Sequence, residues 1–513
     1  MGDYPVPEGP PRRLKIMRNL ALVPALLALA AFPALSAPQG AAPDLALVNR
    51  ISWGADGTLP SGRWLEEQLH PSDDDGLPQA VQDQISALEI SQKSLGQLNA
   101  ELRDLRQAAQ KLKGTPDYAA AQKAYQQKLN DLYRQAQTKS LLRDIYSRNQ
   151  LKEQLTWFWF NHFNVHAPKG EIRAFVGDYE NAIRAHALGK FGDLLATTVI
   201  HPAMLQYLDN AQNAAGHINE NYAREIMELH TLGVGSGYSQ QDVQELARVL
   251  TGLGVDLNGK LPGTRRGEFR ADFQDDPRDE NLTVFYPRRH DFGDKHFLGT
   301  TIKGSGINEV AAAIAILVAQ PPTAHFVSRQ LAQYFCCDAP SERLVTAMAA
   351  TWKRSNGDIA QVLETLFASD EFKASLGRKF KDPMHYAVSS MRVVYGDRVI
   401  VNAQPIVNWL NRMGEPLFGH ETPDGYPLTE AAWAGPGQMA ARFEIARQIG
   451  AGAPQLFRAD GDTVTRPPPP LLEQTAWYQS LQLPTTTRNI VTQGATPADR
   501  NMLLLSSPEF MRR

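Results

Sequence analysis

Five aromatic side chains crowd the stretch Leu151–Phe163, namely Trp157, Phe158, Trp159, Phe160 and Phe163. They point all round a helix, so that helix needs apolar neighbours on several sides and belongs in the middle of a helical block. Helical periodicity continues around it. The spacing predicts helices over Ile183–Thr198, Ala203–Leu208, Glu309–Ala319, Thr323–Cys337, Ser341–Ser355, Ile359–Ala368 and Pro383–Val394. Residues 79–112 and 116–148, rich in Ala, Gln, Leu and Lys, are broken by Gly114-Thr115-Pro116-Asp117 and read as two long helices of a hairpin. Residues 256–305 change character: Gly, Pro, Arg and Asp punctuate them, and KHFLGTTI (295–302) alternates as a strand does. The expected fold is therefore mainly α. It is a large multi-helix domain with a projecting helical hairpin and a small β-hairpin or loop insertion.

The expected order is a signal peptide over 1–37, an N-terminal segment over 38–78, the hairpin arm over 79–148 and the main domain over 149–513. The main domain holds the insertion at 256–305, a Gly/Pro/aromatic loop at 414–437 and a proline-rich linker at 466–470. Arg12, Arg13, Lys15 and Arg18 form a basic start, Leu20–Pro33 an apolar run, and Ala34-Leu35-Ser36-Ala37 a small-residue cleavage site. Pro24 and Pro33 break the run, which is shorter than the ~20 apolar residues a spanning helix needs. Export to the periplasm or beyond is expected, with membrane contact only through this segment if it stays uncleaved.

With 52 basic and 55 acidic residues the formal charge is −3, which gives no electrostatic footprint for nucleic acid. Only two cysteines exist, the adjacent Cys336 and Cys337. They read as thiols behaving as small hydrophobes, and are too few for a cysteine-based zinc site.

The densest polar stripe on a helix that should be buried is NENYAREIMELHTLG (219–233). On a wheel Asn221, Arg224, Glu225 and Glu228 share one stripe, while Ala223, Ile226, Met227 and His230 share another. Glu225 and Glu228 are three apart, so their carboxylates repel unless a cation, a shared proton or an arginine intervenes. The structural alternative is a surface stripe neutralised by Arg224.

Further phrases stand out: FWFNHF (158–163), ALGKFGDLL (187–195), HPAMLQYLDN (201–210), QDVQELARVLTG (241–252), HDFGDKHFLG (290–299), KDP (381–383), PDGYP (423–427) and SPEF (507–510). With the 219–233 stretch, these resemble the bacterial family called domain of unknown function 1800, in order from about residue 45 to the end. The resemblance implies a large, mainly helical, exported protein whose activity is not established. It also implies a partner, since such proteins are often encoded beside an exported sulfatase-like family, domain of unknown function 1501.

Three groups could carry chemistry. His162, in Asn161-His162, could ligate a metal. His166 lies four residues on, but Asn164, Val165 and Pro168 argue that the helix ends before it. His290-Asp291 with Lys295 offers two ligands or an acid–base pair, and a cation for a developing anion. The alternative has Asp291 capping a turn and Lys295 paired to it. Glu225 with Glu228 offers a metal bridge or an acid–base pair.

The expected metal ligands are His162, Glu225, His290 and Asp291 around one divalent ion. The expected catalytic groups are Arg224, Glu225, Glu228, Asp291 and Lys295. Two functions follow. One is a metal-assisted hydrolase of an extracytoplasmic ester or glycan. The other is a non-catalytic binding or maturation partner, in which the same polar residues form a buried network.

Overall fold

The computed structural model describes residues 44–56, 62–258, 282–396, 398–458, 469–481 and 483–513. The expected signal peptide lies outside the described residues, as do residues 259–281 of the expected insertion and Pro467 and Pro468 of the proline run.

The aromatic helix runs Gln150–His162, with Leu151, Leu155, Trp159 and Phe163 all fully buried. The Trp159 indole donates to the Ala187 carbonyl at 2.9 Å, so the helix core is pinned to the ALGKFG turn. Around it pack Tyr118–Tyr146, Ile172–His186, Phe191–Ile200 and Pro321–Phe335. One hydrophobic cluster extends from Val48 to Met511 among the described residues. The fold is mainly helical, with two small two-stranded antiparallel sheets.

The segment expected as one helix from Ile183 to Thr198 is two helices, ending at His186 and restarting at Phe191. The break is held from afar: Phe191 N donates to the Gly357 carbonyl at 2.9 Å, and the Lys190 ammonium reaches Asp358 at 3.0 Å. The 79–112 stretch is three helices, Gln79–Ala87, Glu89–Gln92 and Leu95–Lys111. The Tyr118–Tyr146 helix is exposed near Tyr118, and from Leu129 onward it is increasingly buried against Ile172–His186 and Pro383–Tyr395. Only the tip of this arm stands clear of the body.

KHFLGTTI forms the expected hairpin, Lys295–Phe297 paired with Thr300–Ile302. Its two-residue turn, Leu298 and Gly299, has φ of 48° and 77°, as a primed turn requires. A second pair joins Leu253–Val255 to Thr283–Phe285.

The two ends of the described chain meet inside. Arg50, fully buried, donates to the Arg513 carbonyl at 2.6 Å and to that of Phe335 at 2.8 Å. Arg513 reaches the Tyr334 carbonyl at 2.8 Å and the His385 imidazole. In the KDP phrase, Asp382 caps the Pro383–Tyr395 helix through His385 N at 2.7 Å and accepts from His385 Nδ1 at 2.7 Å. Among the described residues no single helix is long and apolar enough to cross a membrane.

Candidate functional site

The 219–233 stretch does not stay α-helical. Asn221–Glu225 is an α-helix, started by Asn219 Oδ1 accepting from Asn221 N at 3.0 Å. Ile226–Thr231 is a π-helix. Its bonds run five residues back: Leu232 N donates to the Met227 carbonyl at 2.9 Å, and Thr231 Oγ1 to that of Ile226 at 2.7 Å. Such widened turns are rare and concentrate at functional sites. Here the wide turn keeps Met227 and His230 buried while Glu228 lines a cavity. Gly233, at φ +87°, ends it against Phe326, where a Cβ would stand 2.8 Å from the ring.

That cavity has a volume of about 880 Å³. Its walls come from the aromatic helix, the π-segment, the Pro321–Phe335 helix and the 414–437 loop. Phe158, Leu229, Phe326 and Leu428 give it an apolar surface. His162, Glu228, Asp424, Tyr426, His325 and Arg329 are ionisable residues lining it, and Glu342 pairs with both His325 and Arg329.

His162 is the best defined of these. Its Nε2 lies 3.0 Å from the His230 carbonyl oxygen. A carbonyl can only accept, so Nε2 carries the proton and Nδ1 keeps the lone pair in the neutral ring. Phe158, Trp159, Phe163 and Phe326 surround the ring, and burial depresses its pKa to about 4, against the raising effect of the His230 carbonyl. His230, also buried, is driven well below the ordinary range by burial first and by His162 second. The aromatic helix ends at His162, so His166 does not continue it. His166 Nδ1 is instead 3.2 Å from the His420 carbonyl.

Asn161, one residue earlier, holds the opposite wall. Its Nδ2 donates to the Tyr426 carbonyl at 2.9 Å, and its Oδ1 accepts from Tyr426 N at 2.6 Å. This clamp brings the PDGYP turn, with Asp424, to the cavity. Gly425, at φ +72°, is required there: a Cβ would sit 2.2 Å from the Asn161 carbonyl oxygen.

Arg224 lies between Glu220, at 3.1 Å, and Glu228, at 3.6 Å, and also donates to Gln240 at 2.8 Å. Glu225 is half-buried, and its pKa is raised by burial first, then by Glu228 and Asp424, against Arg224. The carboxylates of Glu225, Glu228 and Asp424 therefore share one field. The pKa of Tyr238 is pushed up to about 12, by burial first and then by the neighbouring Glu228 carboxylate.

The third sequence group lies elsewhere. His290 Nδ1 is 2.7 Å from the Thr251 carbonyl, and its Nε2 is 3.1 Å from Glu309 Oε1. The Lys295 ammonium contacts the other Glu309 oxygen and the Asp291 carbonyl. The His290, Lys295 and Glu309 side chains are fully buried. Burial opposes ionisation of Glu309, but His290 and Lys295 outweigh it and its pKa is lowered. The Asp291 carboxylate takes two bonds from Arg248, at 2.8 and 3.2 Å, and one from Gly293 N at 2.9 Å. Arg248 first, and these neighbours together, bring its pKa down to about 2. Asp291 thus does cap a turn, but Lys295 pairs with Glu309.

His162, Glu228 and, beside them, Glu225 belong to one site. His290, Asp291 and Lys295 belong to another cluster and do not line the cavity. Among the described residues, no three ligand atoms of His162, Glu225, His290 and Asp291 lie within 4.8 Å of one another. Sequence reasoning missed Asp424, Glu309 and the cavity residues His325 and Arg329. The PDGYP phrase was the available signal for the first, and a glutamate opening an otherwise apolar helix for the second.

The sequence model of the family described as protein of unknown function (DUF1800) matches residues 46–512, which is nearly all of the chain. No curated protein and no solved structure matches it.

Proposed function

The chain belongs to the DUF1800 family, and from that premise we propose that the cavity between His162 and Asp424 is the active site of an exported hydrolase acting on an ester or a glycan. The carrying observation is His162: a buried, neutral imidazole in an open cavity, with Nε2–H committed to a backbone carbonyl and Nδ1 left with its lone pair. The neutral ring can accept a proton at Nδ1, as a weak base with a pKa of about 4, and its fixed orientation removes reorientation from the reaction. Water gives its proton to Nδ1 as it attacks the ester carbonyl or the anomeric carbon, and the imidazolium hands that proton to the alcohol oxygen as its bond to that carbon breaks. Glu228 and Asp424 add carboxylates to the same cavity. Arg329, on the Pro321–Phe335 helix and paired with Glu342, donates to polar groups of the substrate. The apolar walls hold its uncharged part.

The metal-assisted form of this reading uses Glu228 and Asp424, with Glu225 beside them, to recruit one divalent cation. Its support is the raised pKa of Glu225, owed to burial first and then to repulsion from Glu228 and Asp424, which a cation would relieve. The metal-free acid–base form is favoured because, among the described residues, no trio of donors is assembled at the cavity.

A panel of chromogenic esters and glycosides tests both forms, assayed after chelation and again with added Mg²⁺, Mn²⁺ or Zn²⁺. Hydrolysis that falls about 10²-fold or more in folded His162→Ala supports the reading. Turnover indifferent to His162→Ala and Glu228→Gln would sink it. The second reading is a docking partner of a sulfatase-like exported protein. It draws on the exposed tip of the arm near Tyr118, and is tested by co-purification with and without residues 108–122.

A further inference from the structure

We infer that Cys336, Cys337 and Glu371 form a binding site for a thiophilic divalent cation of the zinc type, distinct from the cavity. Two cysteines alone are too few for such a site, but the fold adds a third donor from another helix. Among the described residues, these three side chains are the one group of at least three His, Cys, Asp or Glu whose ligand atoms all lie within 4.8 Å of one another.

Local geometry explains why adjacent cysteines can act together. On a regular helix neighbouring side chains diverge by roughly 100°, and on a strand they oppose. The Pro321–Phe335 helix stops at Cys336, whose φ and ψ are −107° and −75°. Both Cys336 N and Cys337 N turn back to the Ala332 carbonyl, at 2.8 and 3.4 Å. This end turn carries both sulfurs to the same place. Glu371 arrives from the first turn of Asp370–Ser375 and is fixed by Ser341, whose backbone N donates to Oε1 at 2.8 Å and whose hydroxyl donates to Oε2.

The spacing suits a tetrahedral ion. Zinc–sulfur and zinc–oxygen bonds of about 2.3 and 2.0 Å give a sulfur–oxygen edge of roughly 3.5 Å. Cys337 Sγ already lies 3.7 Å from Glu371 Oε1. Cys336 is buried, whereas Cys337 and Glu371 are half-buried, so the site has a floor and an open side for a water ligand. Two thiolates select a soft or borderline cation, and a carboxylate favours zinc over copper(I).

Charge also closes. Two thiolates and one carboxylate with one divalent ion leave a single negative charge, and the buried Arg50 guanidinium interacts with both cysteines. Arg50 is held there by the Phe335 and Cys336 carbonyls, at 2.8 and 2.9 Å. Binding forms two metal–sulfur bonds and releases the two thiol protons to solvent, with no change of oxidation state.

The test uses the full chain, reduced and metal-free, titrated with Co²⁺ under nitrogen and then with Zn²⁺. The expected result is a thiolate-to-cobalt absorption that saturates at one equivalent and is bleached by one equivalent of Zn²⁺. Cys337→Ser should abolish the band, and Glu371→Gln should weaken Co²⁺ binding at least 10-fold. His162→Ala should leave the titration unchanged, which separates this site from the cavity. Absence of the band in folded, reduced protein overturns the assignment. So does an unaltered titration in Glu371→Gln, a half-buried position that decides the matter even if Cys337→Ser does not fold.

Discussion

His162 donates its Nε2–H to the backbone carbonyl of His230 over 3.0 Å, which joins the last residue of the aromatic helix to the π-turn. The bond fixes the tautomer, and with it the pH behaviour of the pair. The neutral form of His162 is the one that fits, and its pKa falls from 6.5 unfolded to about 4 folded. Between those values the unfolded chain binds the extra proton. Stability is therefore complete above pH 6.5 and drains away as pH falls towards 4. At about 1.4 kcal/mol per pH unit, going from 6.5 to 5 costs on the order of 2 kcal/mol from this ring. Glu180 runs the opposite way: burial raises its pKa to about 7, so its contribution is present below 4.5 and lost as pH rises through 7. The readout is accordingly a difference. Urea unfolding of wild type and His162→Gln at pH 5 and pH 7 should show a smaller loss on acidification in the variant; equal losses contradict the argument.

The same depressed pKa governs the proposed chemistry. If Nδ1 of His162 is the base, kcat/KM rises with pH along an acid limb inflecting near 4, and is flat through neutrality. An unperturbed histidine would inflect near 6.5. A pH–rate profile on whichever chromogenic substrate is turned over distinguishes them, since an inflection near 6.5 assigns the base to another group.

Asn161 and Gly425 offer a mechanical prediction. Asn161→Ala removes both bonds to Tyr426, which should cost roughly 2 kcal/mol and free the PDGYP turn. Gly425→Ala should cost more, because the added Cβ meets a backbone oxygen at 2.2 Å in a left-handed conformation. Thermal unfolding ranks the two, and amide exchange at Asp424–Tyr426 should accelerate in Asn161→Ala without spreading to the aromatic helix. If Gly425→Ala is the milder change, the close approach is not real.

How much of this was readable in advance depends on how far the deciding contact lies along the chain. The aromatic helix and the KHFLGTTI hairpin are set by residues within a dozen positions of one another, and both were legible. The break after His186 was not, because its anchors are Gly357 and Asp358, far along the chain. The π-turn was invisible for another reason: α and π differ only in which carbonyl each amide chooses, and Ile226–Thr231 has the composition of either. The polar stripe was legible at Glu225 and Glu228, and Glu228 lines the cavity. The wheel could not supply Asp424, which reaches the same field only because Asn161 grips a loop more than 260 residues away. His290-Asp291-Lys295 looked like chemistry since nothing nearby explained four ionisable residues, Asp294 among them, in six. Their explanation lies in Glu309 and Arg248, on flanking helices.

The separation of that second cluster from the cavity is itself testable. Glu309→Ala strips the buried Lys295 ammonium and His290 of their carboxylate, and breaking a buried pair from one side typically costs about 3–5 kcal/mol. Asp291→Ala breaks a pair in which both side chains keep about a quarter of their exposure, 24 and 26%. Solvent screens that pair, and the expected loss is about 1 kcal/mol. Denaturant midpoints should therefore fall much further for Glu309→Ala than for Asp291→Ala. If instead Asp291→Ala leaves stability intact and abolishes ligand binding or turnover at the cavity, the two clusters act as one site and the partition drawn between them fails.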